Sequence, residues 1–152
     1  MLFDLDVQQG EWFPFQNSRI NPESGEVEWD EPEKDAKVQI RPMGPFFEEK
    51  IMKRKRVAEN VYNPKTRAME RVSFFQELSA EEAKHERDEA FDYAIIGLQG
   101  FKNSKSGEVI QCTRENKLAL MRVPAFDRFF AKCQQLLSSS GVKAQEEAEK
   151  NS

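Results

Sequence analysis

Histidine is the side chain that ordinarily moves protons near neutral pH, and the single one here, His85, lies in the charged run Lys84-His85-Glu86-Arg87-Asp88. A solvated histidine is the ordinary reading of that context. A serine or cysteine nucleophile needs a base beside it, and His85 is the one conventional candidate. Cys112 and Cys133 stand far apart with no CxxC pair. With one histidine they fall short of a zinc site, and they fit a reducing compartment as well as one disulfide would; both read as small core residues. The 27 acidic residues include none in the alternating spacing of a calcium loop and none beside a phosphate-cradling glycine turn. Counting alone leaves a carboxylate-held Mg²⁺ open, but solvated surface accounts for the acids. The glycines spell neither a Walker nor a dinucleotide fingerprint, so no nucleotide is implied. These residue types in this order point to no catalytic, cofactor-binding or metal-binding set. The chain is expected to act by binding another protein and to use no cofactor.

The dense basic cluster Lys50, Lys53, Arg54, Lys55, Arg56 is the one feature that would suit phosphates or a nuclear address. Its plainer reading is a helix C-terminus: cations favour that end of the macrodipole, and Glu49 with Lys53 forms an i,i+4 pair in the favourable order. With a formal net charge of -4 spread along the chain, no overall field draws it to nucleic acid or anionic lipid. Nucleic acid is therefore not expected as a partner.

These residues are carried by 152 positions, enough for one domain with its own core. Hydrophobic residues are 38% and charged residues 33%, while Phe occurs twelve times, so the core is expected to be small and aromatic. From Glu11 to Ile20 aromatic and polar residues mix, and Asn21-Pro22-Glu23-Ser24-Gly25 supplies a turn before Val27-Glu28-Trp29, predicting a β-hairpin. Lys37-Val38-Gln39-Ile40-Arg41 alternates as a half-buried strand, with Pro42 arguing against a central position. Gly44-Pro45 opens a helix in which Phe47 and Ile51 share a face. Asn63-Pro64-Lys65-Thr66 divides Val57–Tyr62 from Arg67–Phe75 as a second hairpin, preferred to a helix begun at Pro64.

Ser79-Ala80-Glu81-Glu82 is a capping box, predicting a helix from about Ala80 to Ile96 whose charged first half faces water or a partner and whose later turns, with Phe91, Ala94, Ile95 and Leu98, reach the core. Gly97 and Gly100 are read as its end. A turn at Asn103–Gly107 leads to the strand-like Glu108–Cys112, and Thr113 caps a short helix. Pro124 starts the clearest amphipathic pattern in the chain: Phe126, Phe129, Phe130, Cys133, Leu136 and Leu137. The expected class is α+β, with small antiparallel N-terminal hairpins followed by a helical C-terminal part carrying an inserted turn. The expected organisation is a flexible segment 1–10, one domain 11–137, and a disordered tail 138–152 too polar to offset its ordering entropy.

A helical apolar stripe is more often core than groove. This one is broad, however, and Met121, Phe126, Phe129, Phe130, Leu136 and Leu137, with Val123 beside them, are the expected partner-binding residues. The charged surface around Ala80–Glu89 is expected to assist. Neither the first residues nor any later segment has the apolar run of a signal peptide or a bilayer span, so no membrane is expected and the cytoplasm is the expected compartment.

The segment Asp92-Tyr93-Ala94-Ile95-Ile96-Gly97-Leu98-Gln99-Gly100-Phe101, followed by Ser106-Gly107-Glu108-Val109-Ile110-Gln111-Cys112-Thr113-Arg114-Glu115-Asn116, resembles tail assembly chaperones of long-tailed bacteriophages. There a helix leads into a tight turn with the sense aromatic-x-Gly … Gly-x-x-hydrophobic-x-x-Thr/Ser-x-Glu-Asn, and another helix follows; Leu98 stands where an aromatic is common. The resemblance implies a small α+β protein in the cytoplasm of the infected bacterium. It would bind the tape measure protein and the tail tube subunits that polymerise around it, and leave before the virion is complete, with a homo-oligomer left open. It also implies a longer form made by ribosomal frameshifting, for which the codons of Glu149-Lys150-Asn151 can supply an adenine run. The alternatives are a permanent virion component of the tail or head-tail joint and a nucleic-acid-binding regulator using Lys50 to Arg56.

Overall fold

A computed structural model describes residues 9–54 and 56–150, with side chains to residue 139. Of the segment expected to be flexible, residues 1–8 lie outside the described residues. The architecture is α+β. A three-stranded antiparallel sheet is formed by β1 (Glu11–Pro14), β4 (Lys37–Ile40) and β7 (Ile95–Gln99), with β4 in the middle. The alternation at Lys37-Val38-Gln39-Ile40 explains that position, since Val38 and Ile40 are fully buried on one face. Pro42 lies beyond the strand and removes no ladder donor, so the expectation that it would bar a central place is corrected. The front hairpin is present as β2 (Ser18–Ile20) and β3 (Val27–Trp29), while Trp12 and Phe13 pair with β4 instead.

Helix α1 (Gly44–Lys53) follows, with Pro45 in its first turn, and then the hairpin of β5 (Arg56–Asn63) and β6 (Ala68–Phe75). The turns at Asn21, Asn63 and Asn103 share one design. In each, the Asn side chain accepts from the backbone N–H two residues on at 2.9 Å, and its carbonyl accepts from the N–H four residues on at 2.8 Å. The residue donating that last bond is left-handed in every case. Gly25 and Gly107 take this conformation freely, whereas the middle turn uses Arg67, at φ 56°.

Helix α2 (Ala80–Ala94) starts at Ser79, whose hydroxyl accepts from the Glu82 N–H at 3.2 Å. It stops two residues sooner than the sequence predicts, because Ile95 and the residues after it pair with β4. Arg41 explains the stop locally: its backbone N–H donates to the Ala94 carbonyl at 2.9 Å and its Nε to the Tyr93 carbonyl at 2.6 Å, occupying acceptors that end the helix. Gly100 then passes so close to the chain at Asp35 that a Cβ would stand 1.7 Å from that carbonyl oxygen. The predicted strand at Glu108–Cys112 is reduced to a single bridge between Lys102 and Val109.

Helix α3 (Arg114–Met121) is capped by the Thr113 hydroxyl at 3.3 Å from the Asn116 N–H. Helix α4 (Pro124–Lys150) runs past Leu137, where the sequence predicts a disordered tail; its backbone is helical to Lys150, while side chains beyond residue 139 lie outside the described ones. It lays Phe126, Phe129, Phe130, Cys133 and Leu137 against Val38, Ile40 and Ile95 of the sheet. Phe15 stands edge-on to Phe129 at 5.1 Å and to Phe101 at 5.5 Å, so the core is aromatic as composition predicts. Polar contacts fix the helix on both flanks. Arg128 donates to the Ser18 hydroxyl at 2.7 Å and carbonyl at 2.9 Å, and Gln134 bridges the Met43 N–H at 3.1 Å and the Arg41 carbonyl at 2.9 Å. Among the described residues no helix is long and apolar enough to cross a membrane.

Candidate protein-binding surface

Five of the six stripe residues expected to meet a partner, Met121, Phe126, Phe129, Phe130 and Leu137, are buried in the chain's own core. Only Leu136 is open, at 46% exposure. The expectation of a surface there is corrected: the sheet covers the stripe, and burying its larger residues contributes roughly 1.5–3 kcal/mol each to folding before ordering entropy is subtracted. Cys133 shares that burial, which pushes its thiol up to about 12 and leaves it an unreactive core residue. Cys112, expected in the core as well, is exposed.

The charged stretch of α2 faces α1. Lys50 Nζ lies 3.1 Å from Glu89 and Arg54 Nη2 2.6 Å from Glu86, while Lys53 pairs with Glu49 at 2.7 Å as the i,i+4 spacing predicts. Hydrogen bonding from Lys50 to Glu89 and from Lys53 to Glu49 holds both carboxyls below the ordinary carboxylate range. The described cations of α1 and its C-cap are thus engaged by the chain's own acids; Lys55 lies outside the described residues. A shallow cleft of about 370 Å³ between these elements is lined by Lys50, Leu78, Glu81, Glu82, Glu86, Glu89 and the exposed His85, whose Nε2 meets Glu89 at 2.9 Å. Among the described residues, no group of three or more His, Cys, Asp or Glu side chains is arranged to hold a metal ion.

Open apolar area is concentrated instead on the arm that α1 leads into. Strands β5 and β6 pair along their whole length and form a sheet of two strands, with no third strand joined to them among the described residues. Opposed residues share a face, so the register sorts the side chains. One face carries Val57, Val61, Val72 and Phe74 with Glu59 and Glu70. The other carries Tyr62, Met69 and Phe75 with Arg56 and Arg71. Neither face is covered: Tyr62 is 56% and Met69 63% exposed, and Val61, Val72, Phe74 and Phe75 are exposed too. Met52, near the end of α1, adds 84% exposure. An isolated two-stranded hairpin is marginal in water, and the outer edges of both strands leave backbone donors and acceptors unpaired. The arm therefore leaves both apolar side chains and strand edges open to solvent.

The chain matches no family model, no curated protein and no solved structure.

Sequence reasoning identifies the β5–β6 hairpin but not its importance. The available signal is that both alternating registers carry large apolar residues, as a strand enclosed on two sides would, although no neighbouring segment supplies the covering strands.

Proposed function

We propose that the chain works by binding another protein through the β5–β6 arm. On the resemblance of residues 92–116, we propose further that it is a tail assembly chaperone of long-tailed phages, acting in the host cytoplasm. The observation that carries the binding role is the exposed face of Val61, Val72 and Phe74, beside the half-buried Val57, on a sheet of two strands. Such a face offers apolar area together with strand edges, which suits reversible cover for a client that has not yet reached its final assembly. The client in this reading is the tape measure protein, sheltered until tail tube subunits enclose it.

The test is co-expression with the tape measure client, which this reading expects as a very long coiled-coil-rich protein encoded immediately downstream. The expected result is soluble client recovered with this chain and lost with a Val72→Thr/Phe74→Thr variant, which keeps strand-forming residues at both positions. An insoluble client in the presence of the unaltered chain would defeat the chaperone role. Mass spectrometry of purified virions separates it from a permanent tail or joining subunit, because stoichiometric retention would assign the same arm to a lasting interface.

A further inference from the structure

The two-stranded hairpins β2–β3 and β5–β6 carry opposite charge. Between Glu23 and Asp35, at and after the β2–β3 turn, seven acidic residues stand against Lys34 alone. Arg19, on β2, is already paired with Glu28 and Asp30. Ile20 and Val27, directly opposed in that hairpin, are both exposed, so acidic charge surrounds a small open apolar patch. The arm is its counterpart: Arg56 and Arg71 share one face with Tyr62, Met69 and Phe75, and Lys65 stands at the tip. Its acids, Glu59 and Glu70, lie on the other face.

We propose that the chain associates head to tail with itself, the cationic face of β5–β6 on one copy seating against the acidic β2–β3 hairpin of the next. This rests on reading the arm as a protein-binding surface, and it assigns the valine face and the cationic face to different partners. The contact joins unlike patches, so each copy keeps one of each free and association propagates until a ring closes or a filament grows. Strands of 8 residues make a face about 26 Å long and two strands wide, well under the ~800 Å² per partner of a standard interface. Each junction is accordingly weak, and the assembly depends on concentration and salt.

The experiment uses the purified full chain in light scattering and sedimentation velocity over a concentration series. The unaltered chain is expected to exceed monomer mass at low salt, with association weakened about tenfold or more at high salt. Two charge reversals decide the geometry. Lys65→Glu/Arg71→Glu gives the arm the wrong sign, and Glu23→Lys/Glu26→Lys does so for the β2–β3 hairpin itself, residues 18–29, which then holds three cations against Glu28 alone. Each variant alone is expected to remain monomeric, and an equimolar mixture to recover association, because each arm then meets a hairpin of opposite charge. A monomeric unaltered chain at every concentration would overturn the proposal and leave client binding through the valine face standing. Undiminished association of the Glu23→Lys/Glu26→Lys variant would overturn it in favour of arm-to-arm pairing. Loss of client recovery with Val72→Thr/Phe74→Thr but not with Lys65→Glu/Arg71→Glu would separate the two faces.

Discussion

The α4 stripe and the β5–β6 arm are both apolar and amphipathic, yet they meet opposite fates. Phe126, Phe129 and Phe130 are each 2% exposed, because β4 and β7 lie across them. Val61, Val72 and Phe74 have similar chemistry and remain open, because their sheet ends after two strands. What distinguishes the regions is whether the chain supplies a second layer. Apolar content marks a surface that needs covering; only topology says whether the cover comes from within.

Substitutions in the two regions should therefore separate stability from binding. The largest effect on stability belongs to the stripe: Phe126→Ala should cost about 3–5 kcal/mol, measured by denaturant unfolding, since its neighbours Phe15 and Phe129 cannot refill the volume. Arg128→Ala should cost about 1.5–3 kcal/mol by removing a charged donor from the buried Ser18 and loosening α4 from β2. An unchanged midpoint there would show that the flank contacts do not hold the helix.

Smaller effects concern the arm and its base. Ser79→Ala should lower stability by about 1 kcal/mol through loss of the α2 cap. Arg67→Gly should stabilise the hairpin by about 1 kcal/mol, relieving a left-handed backbone that disfavours a side chain, and should appear as slower amide exchange in β5 and β6. Acid should loosen α1, where Glu49 holds Lys53, and its junction with α2, where Glu89 holds Lys50. The folded pKa values of Glu49 and Glu89 lie below their unfolded ones, so their contribution is present above the unfolded value of ~4.3 and is lost as pH falls through the folded values. Amide exchange in α1 that quickens in acid before exchange in α4 does would bear this out.

Local chemistry made much of this fold legible in the residues. Ser79, Thr113 and Pro45 mark helix starts where the structure has them, and the Asn-initiated turns close both long hairpins. The non-local facts were not legible. Ile95 and Ile96 suit a helix end as well as a strand, and the choice is made by β4, more than fifty residues earlier in the chain. Likewise the stripe reads as groove or core until the sheet that covers it is known. The candidate surface was hidden for the same reason: nothing within 56–75 announces that no third strand arrives.

The most direct test of the account is the affinity for the proposed tape measure client of two variants, Val72→Thr/Phe74→Thr on the arm and Leu136→Ala at the one open position among the six stripe residues. The account predicts that the arm variant loses about tenfold or more in affinity with its melting temperature nearly unchanged, while Leu136→Ala binds as the unaltered chain does. Weakened binding by Leu136→Ala with full binding by the arm variant would contradict it.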